Sequence, residues 1–252
     1  MKNKKMNNKL LTSILAILIT FPTLLLAQKH NVVNASIALR NQELSDAKKY
    51  IDESFMNEST ANAAKMWNYR SKIYLQIAQK QPEIDSEAIF KATEAHIKCL
   101  QTDKKGRIIV RKWTAEEDVK TGLIQCGYLL FNKALDKYNE NDYNSALKHY
   151  SAIFDIIPFD TENQLGKIKK DIILYEMFRC SKAQNDISKS KDYLEQLIGL
   201  NFNHSSVYVE MSNIFQEEGN TEKALNYLNL GRKNLPGDQG IINAEINLYI
   251  KL

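Results

Sequence analysis

The chain has 252 residues, enough for one extended array or two small domains. Only 9 Gly and 4 Pro are present, too few turn signals for an all-β protein and well suited to long helices with short links. Its 34 basic and 30 acidic residues leave a net charge of +4, and four of the lysines (Lys2, Lys4, Lys5 and Lys9) lie within residues 1–27, which hold no acid. Residues 28–252 therefore carry 30 of each sign and no net charge, without the basic excess expected of a nucleic-acid binder.

Those four lysines precede an apolar run from Leu10 to Phe21, broken by Pro22 and followed by Ala27. This order reads as a secretory signal peptide over residues 1–27, to be set aside from the fold. The alternative is an uncleaved anchor, although Leu10–Ala27 is slightly short for a span and contains a proline. No cysteine follows the apolar run, which argues against a lipoprotein.

From residue 31 onward the pattern is helical throughout. A first helix is expected over about 31–41. A second follows, with Ala47 and Ile51 as its packing pair. Trp67, Arg70, Ser71 and Tyr74 mark the next helix, with Arg70 standing where an apolar residue belongs. Its partner is expected over 86–100, with Ala92, His96 and Cys99 facing inward. Residues 103–113 form a basic linker carrying Lys104, Lys105, Arg107, Arg111 and Lys112. It fits an anionic lipid headgroup, an acidic partner, or a solvated loop balanced by Glu116, Glu117 and Asp118. The sequence favours the solvated loop. Thr114-x-x-Glu117 is a capping-box signal for a long helix over about 115–139. Ala134, Tyr138, Tyr143, Ala146, Tyr150 and Pro158 follow at regular spacing. Residues 161–184 read as helical, and Ser190 and Leu194 mark the helix after them.

The clearest stretch is Tyr208-x-x-Met211-Ser212-x-x-Phe215, then Gly219, Ala224-x-x-x-Leu228 and Pro236. Tyr208, Met211 and Phe215 share one helical stripe, Gly219 ends that helix, Thr221 can cap the next, and Pro236 stops it. This stretch resembles the tetratricopeptide (TPR) repeat, with its period of about 34 residues. The resemblance extends over residues 31–252 as five imperfect repeats. A final helix carries Ile241, Ile242, Ala244, Ile246, Leu248, Tyr249 and Ile250, and reads as the first of another pair. It implies an all-α superhelical solenoid of helix pairs. With the signal peptide, it is similar to exported bacterial TPR proteins of the periplasm or outer envelope of Gram-negative species.

In such arrays the first helices line a concave groove that takes a peptide or partner protein. Carried onto this chain, the groove residues are Asn68, Lys72, Leu75 and Gln76; Phe131, Leu135 and Tyr138; Tyr175, Arg179 and Lys182; and Val209, Asn213, Gln216 and Glu217. Each aromatic among them has packing between helices as its alternative role. The function implied is a non-enzymatic interaction scaffold in the cell envelope, or alternatively a membrane-tethered accessory subunit of an envelope assembly or secretion complex. Membrane contact is expected only through an uncleaved N-terminal segment, if at all. No cofactor is implied. The four histidines (His30, His96, His149 and His204) form no metal or catalytic spacing, and Cys99, Cys126 and Cys180 lack a C-x-x-C. Buried filling is the preferred role for these cysteines, with a Cys99–Cys126 disulfide as the alternative. An enzyme whose site arises only in three dimensions is the weakest reading.

Overall fold

The computed structural model describes residues 30–251, so the expected signal peptide lies outside the described residues. Among the described residues all regular structure is helical, apart from one isolated bridge between Thr102 and Ile108. Helix α1 spans 30–40. It is followed by α2 (Leu44–Met56), α3 (Ala64–Lys80), α4 (Ala88–Cys99), α5 (Glu116–Asn139) and α6 (Tyr143–Ile153). Then come α7 (Lys170–Ala183), α8 (Ile187–Gly199), α9 (Ser205–Glu217), α10 (Thr221–Asn234) and α11 (Gln239–Ile250). None of these helices is long and apolar enough to cross a membrane. The chain divides into two compact units, the first ending at Leu129 and the second beginning at Leu130.

One local device makes four of the helix pairs. The links 41–43, 140–142, 184–186 and 218–220 are three residues each. In every one the middle residue has positive φ: Gln42, Asn141, Asn185 and Gly219. The residue after it donates its N–H to a carbonyl five residues back, as in Asp142 to Lys137 and Asp186 to Ser181, both at 2.9 Å. This is a Schellman turn, which satisfies the last carbonyls of one helix. The same third residue then caps the next helix in three of the turns. The side chains of Asp142, Asp186 and Asn220 accept the N–H of Ser145, Lys189 and Lys223. Asn220, not Thr221, is therefore the cap before α10, because an amide oxygen one residue earlier reaches the orphan N–H.

The turns fix the packing register. Five residues after each positive-φ residue stands a small side chain: Ala47, Ala146, Ser190 and Ala224. Four residues further stand Ile51, Tyr150, Leu194 and Leu228, and all eight are at most 2% exposed. Ser190 replaces alanine without loss, because its hydroxyl lies 2.9 Å from that of Ser181 across the α7–α8 contact. Seven residues before the positive-φ residue the other three turns have Ala35, Ala134 and Ser212, whereas α7 has Phe178, so the α7–α8 pair departs most from the pattern.

In the first unit α3 packs on α2 and α4. Arg70, 4% exposed, replaces an apolar residue because it has a partner. Its Nη1 donates to Asp52 at 2.7 Å, and its guanidinium lies 4.1 Å from the Phe55 ring and 4.6 Å from the Tyr74 ring. Tyr74 donates to the same carboxylate at 2.6 Å. Burial pushes the Asp52 carboxyl up, but the donors Tyr74, Arg70 and Lys48 prevail and hold it below its ordinary value.

Further along, His96 of α4 is 3% exposed and donates Nδ1–H to the Ala92 carbonyl at 2.8 Å. Cys126 lies 3.8 Å from it. All three cysteines are free and buried, and burial pushes each thiol up to about 12, the pattern of inert filling. Gly122 of α5 faces the same ring, where an added Cβ would sit 2.3 Å from His96 Nε2. Gly122→Ala is expected to cost about 2 kcal/mol by overpacking, despite the better helix propensity of alanine. Urea unfolding of the full chain measures it, and a neutral or stabilised variant would contradict this close approach.

Three expected boundaries are corrected. Helix α5 begins at Glu116, and the Thr114 hydroxyl contacts the Asp118 carboxylate at 3.4 Å instead of closing a capping box. Residues 161–169 are not helical, because the Asp160 carboxylate accepts the N–H groups of Gln164 and Leu165 and holds a turn with Asn163 and Gly166 at positive φ. Helix α4 begins at Ala88, two residues later than expected. At the other end, α11 buries Ile241 and Leu248 against α9 and α10 and leaves Ile246, Tyr249 and Ile250 exposed.

Candidate functional site

The second unit carries a groove of about 440 Å³ lined by side chains of three successive first helices. Tyr138 comes from α5. Tyr175, Phe178, Arg179, Lys182 and Ala183 come from α7, and Ser206 and Glu210 from α9. Spacing puts them together. Residues 175, 179 and 182 are one helical face, and 206 and 210 are one turn apart.

Aromatic faces and ion pairs alternate along this groove. The Arg179 guanidinium lies 4.6 Å from the Tyr138 ring centroid and pairs with Glu176 at 2.7 Å. Burial works against the Arg179 cation, but Glu176 and Tyr138 outweigh it and raise its pKa. Lys182 pairs with Glu210 across the α7–α9 gap. Tyr175 packs at 5.4 Å from Phe202 and 5.2 Å from His204, and its hydroxyl lies 3.2 Å from Ser206 Oγ. His204 holds that serine in turn, with Nδ1 2.7 Å from Ser206 Oγ. Two cations therefore face two carboxylates, with ring faces and a hydroxyl between them. Such a surface offers donors, acceptors and apolar contact without a dominant sign.

Four of the residues expected in a groove meet here: Tyr138, Tyr175, Arg179 and Lys182. Glu210 and Ser206 join them, although the sequence pointed instead to their neighbours on α9. Of those, Asn213 is exposed and Gln216 half-buried, and neither lines this groove. Phe131 is half-buried edge-on to Tyr150 at 5.8 Å, which is the packing role. In the first unit Asn68 is 2% exposed, which takes its side chain out of a partner's reach. Lys72 and Gln76, one and two turns further along α3, are half-buried.

A second, more apolar cleft of about 530 Å³ lies on the other side of α7, lined by Phe154, Leu174, Met177 and Tyr193 among others. Among the described residues no group of three or more His, Cys, Asp or Glu side chains is arranged to hold a metal ion.

No protein-family model matches the chain. A pentatricopeptide repeat-containing protein of Arabidopsis thaliana is 25% identical over 130 residues, which cover 48% of this chain and 17% of that protein. The chain thus spans about a sixth of the length of the curated relative it matches. The crystal structure of the P58(IPK) TPR domain aligns over 89% of this chain and 65% of that chain, with a TM-score of 0.38 and 11% identity. On its own geometry the chain is a succession of helix pairs with small buried residues at Ala47, Ala146, Ser190 and Ala224.

Proposed function

We propose that this chain is a non-enzymatic interaction scaffold and that the groove on α5, α7 and α9 receives a polypeptide partner. The observation that carries the reading is the convergence of three successive first helices on one groove, where aromatic faces alternate with ion pairs. A polypeptide suits it because main-chain amides can meet Ser206, Glu210 and Lys182 while side chains rest on Tyr138 and Tyr175. A nucleic-acid backbone does not suit it, because Glu176 and Glu210 already neutralise the groove's two cations. We further propose that the helix pairs form a TPR-like superhelical solenoid. On the N-terminal pattern of residues 1–27, we place its work in the cell envelope of a Gram-negative bacterium, after export.

The test is the double variant Arg179→Ala, Lys182→Ala, used to capture partners from the native envelope fraction beside the parent chain. Both side chains reach solvent at the groove, so the helical signal should be retained. Partners that the parent enriches are expected to fall at least ten-fold. Equal enrichment by a folded double variant would refute the groove.

A further inference from the structure

We propose that the loop 103–113 of the first unit docks on an anionic lipid surface, with Trp113 entering the interface among its cations. The loop carries five cations against one carboxylate, Asp103, a net charge of +4 in eleven residues. That single carboxylate organises the loop. Asp103 accepts the N–H groups of Lys105 at 2.8 Å and Arg107 at 3.1 Å, and pairs with the guanidinium of Arg107 at 3.0 Å and of Arg111 at 3.1 Å. A main-chain bond from Asp103 N to the Arg107 carbonyl at 2.8 Å and the Thr102–Ile108 bridge close the turn, with Gly106 at positive φ. Ile108 and Val110 are buried and anchor it.

Of the three acidic residues after the loop, Glu116 pairs with Lys120 along its own helix at 2.8 Å and Asp118 contacts Thr114, and the ion pairs found for the loop's cations involve neither of these nor Glu117. Lys104, Lys105 and Lys112 stay exposed, all outside the ion pairs found among the described residues. Trp113, two residues from Arg111, is 40% exposed. An exposed indole beside clustered cations suits the headgroup layer, where tryptophan places its apolar ring and its N–H at different depths. An acidic protein would be met by the same cations, but the exposed indole among them favours a bilayer. This departs from the solvated loop that the sequence favoured.

The chain has two tryptophans, and the other, Trp67, is only 8% exposed, so a bilayer probe reports on Trp113. Full-length protein would be mixed with vesicles of phosphatidylglycerol and phosphatidylcholine whose acyl chains are brominated. Emission should be quenched in anionic vesicles, and quenching should disappear in Trp113→Phe. Neutralising Lys104, Lys105 and Lys112 to Gln should weaken binding about five-fold each and roughly a hundred-fold together. Three results would overturn the proposal: equal quenching in purely neutral vesicles, no quenching in anionic ones, or unchanged binding by the triple variant. Capture of polyglutamate without vesicle quenching would overturn it in favour of an acidic polypeptide.

Discussion

Tyr208→Ala is expected to cost about 4 kcal/mol, the scale for deleting a buried aromatic ring. Tyr208 is 1% exposed and belongs to the core of the second unit with Met211, Phe215, Leu228 and Ile241. Its position permits little collapse. Gly231 of α10 is so close that an added Cβ would lie 2.9 Å from Tyr208 Cβ and 2.9 Å from Ile241 Cδ1. The ring therefore fills the space where α9, α10 and α11 meet. Its hydroxyl accepts from Asn234 at 2.9 Å, a separate and smaller contribution. Tyr208→Phe should cost only about 1 kcal/mol, the value of one hydrogen bond. Urea unfolding of the two full-length variants separates these terms. An alanine variant within 1 kcal/mol of the parent would show that the ring is not the keystone of this core.

The second large effect is a pH dependence from His96. Burial pushes its pKa from 6.5 down to about 4. The folded imidazole stays neutral over that window while the unfolded one takes up a proton. The stability it contributes is thus complete above pH 6.5 and is lost as pH falls toward 4, amounting to about 3 kcal/mol. Carboxylates also titrate there, so the informative quantity is the difference from His96→Gln. Unfolding free energies at pH 7.0 and 4.5 should fall more steeply in the parent than in the variant. Parallel slopes would mean that His96 is protonated or reaches water in the folded chain.

Much of the architecture is legible in the sequence because it is written in short-range spacings. Ala47, Ala146 and Ala224 mark helix crossings because only a small side chain lets two helices approach there. Arg70 looked like a defect because Asp52 and Tyr74, its partners, stand 18 residues before it and four after, and no local rule connects all three. The Schellman turns were legible in principle: Asn141-Asp142 and Asn185-Asp186 both place a residue tolerant of positive φ before a good cap. Of the four, only Gly219 carries the usual signal, a glycine. Residues 161–169 have a helical pattern, but Asp160 captures the N–H groups that would start the helix.

The site was half legible for a different reason. Helical spacing groups Tyr175, Arg179 and Lys182 on one face of α7. It cannot say which residue of α9 stands opposite, and Glu210 is found only when Lys182 reaches across the gap. Asn68 shares the periodicity of a groove residue and is nevertheless covered. Periodicity assigns a face, and the neighbouring helices decide whether that face meets solvent.

A polypeptide in the groove would lie within reach of a side chain at position 183. The most direct measurement places a photo-crosslinking amino acid at Ala183, which is exposed and lines the groove, and as a control at Asn226, which is exposed on α10 and does not. Irradiation in the native cells should give a discrete adduct from position 183, absent from position 226 and lost when Arg179 and Lys182 are also replaced by alanine. Adducts of equal yield from both positions, or none from position 183, would contradict polypeptide binding in the groove.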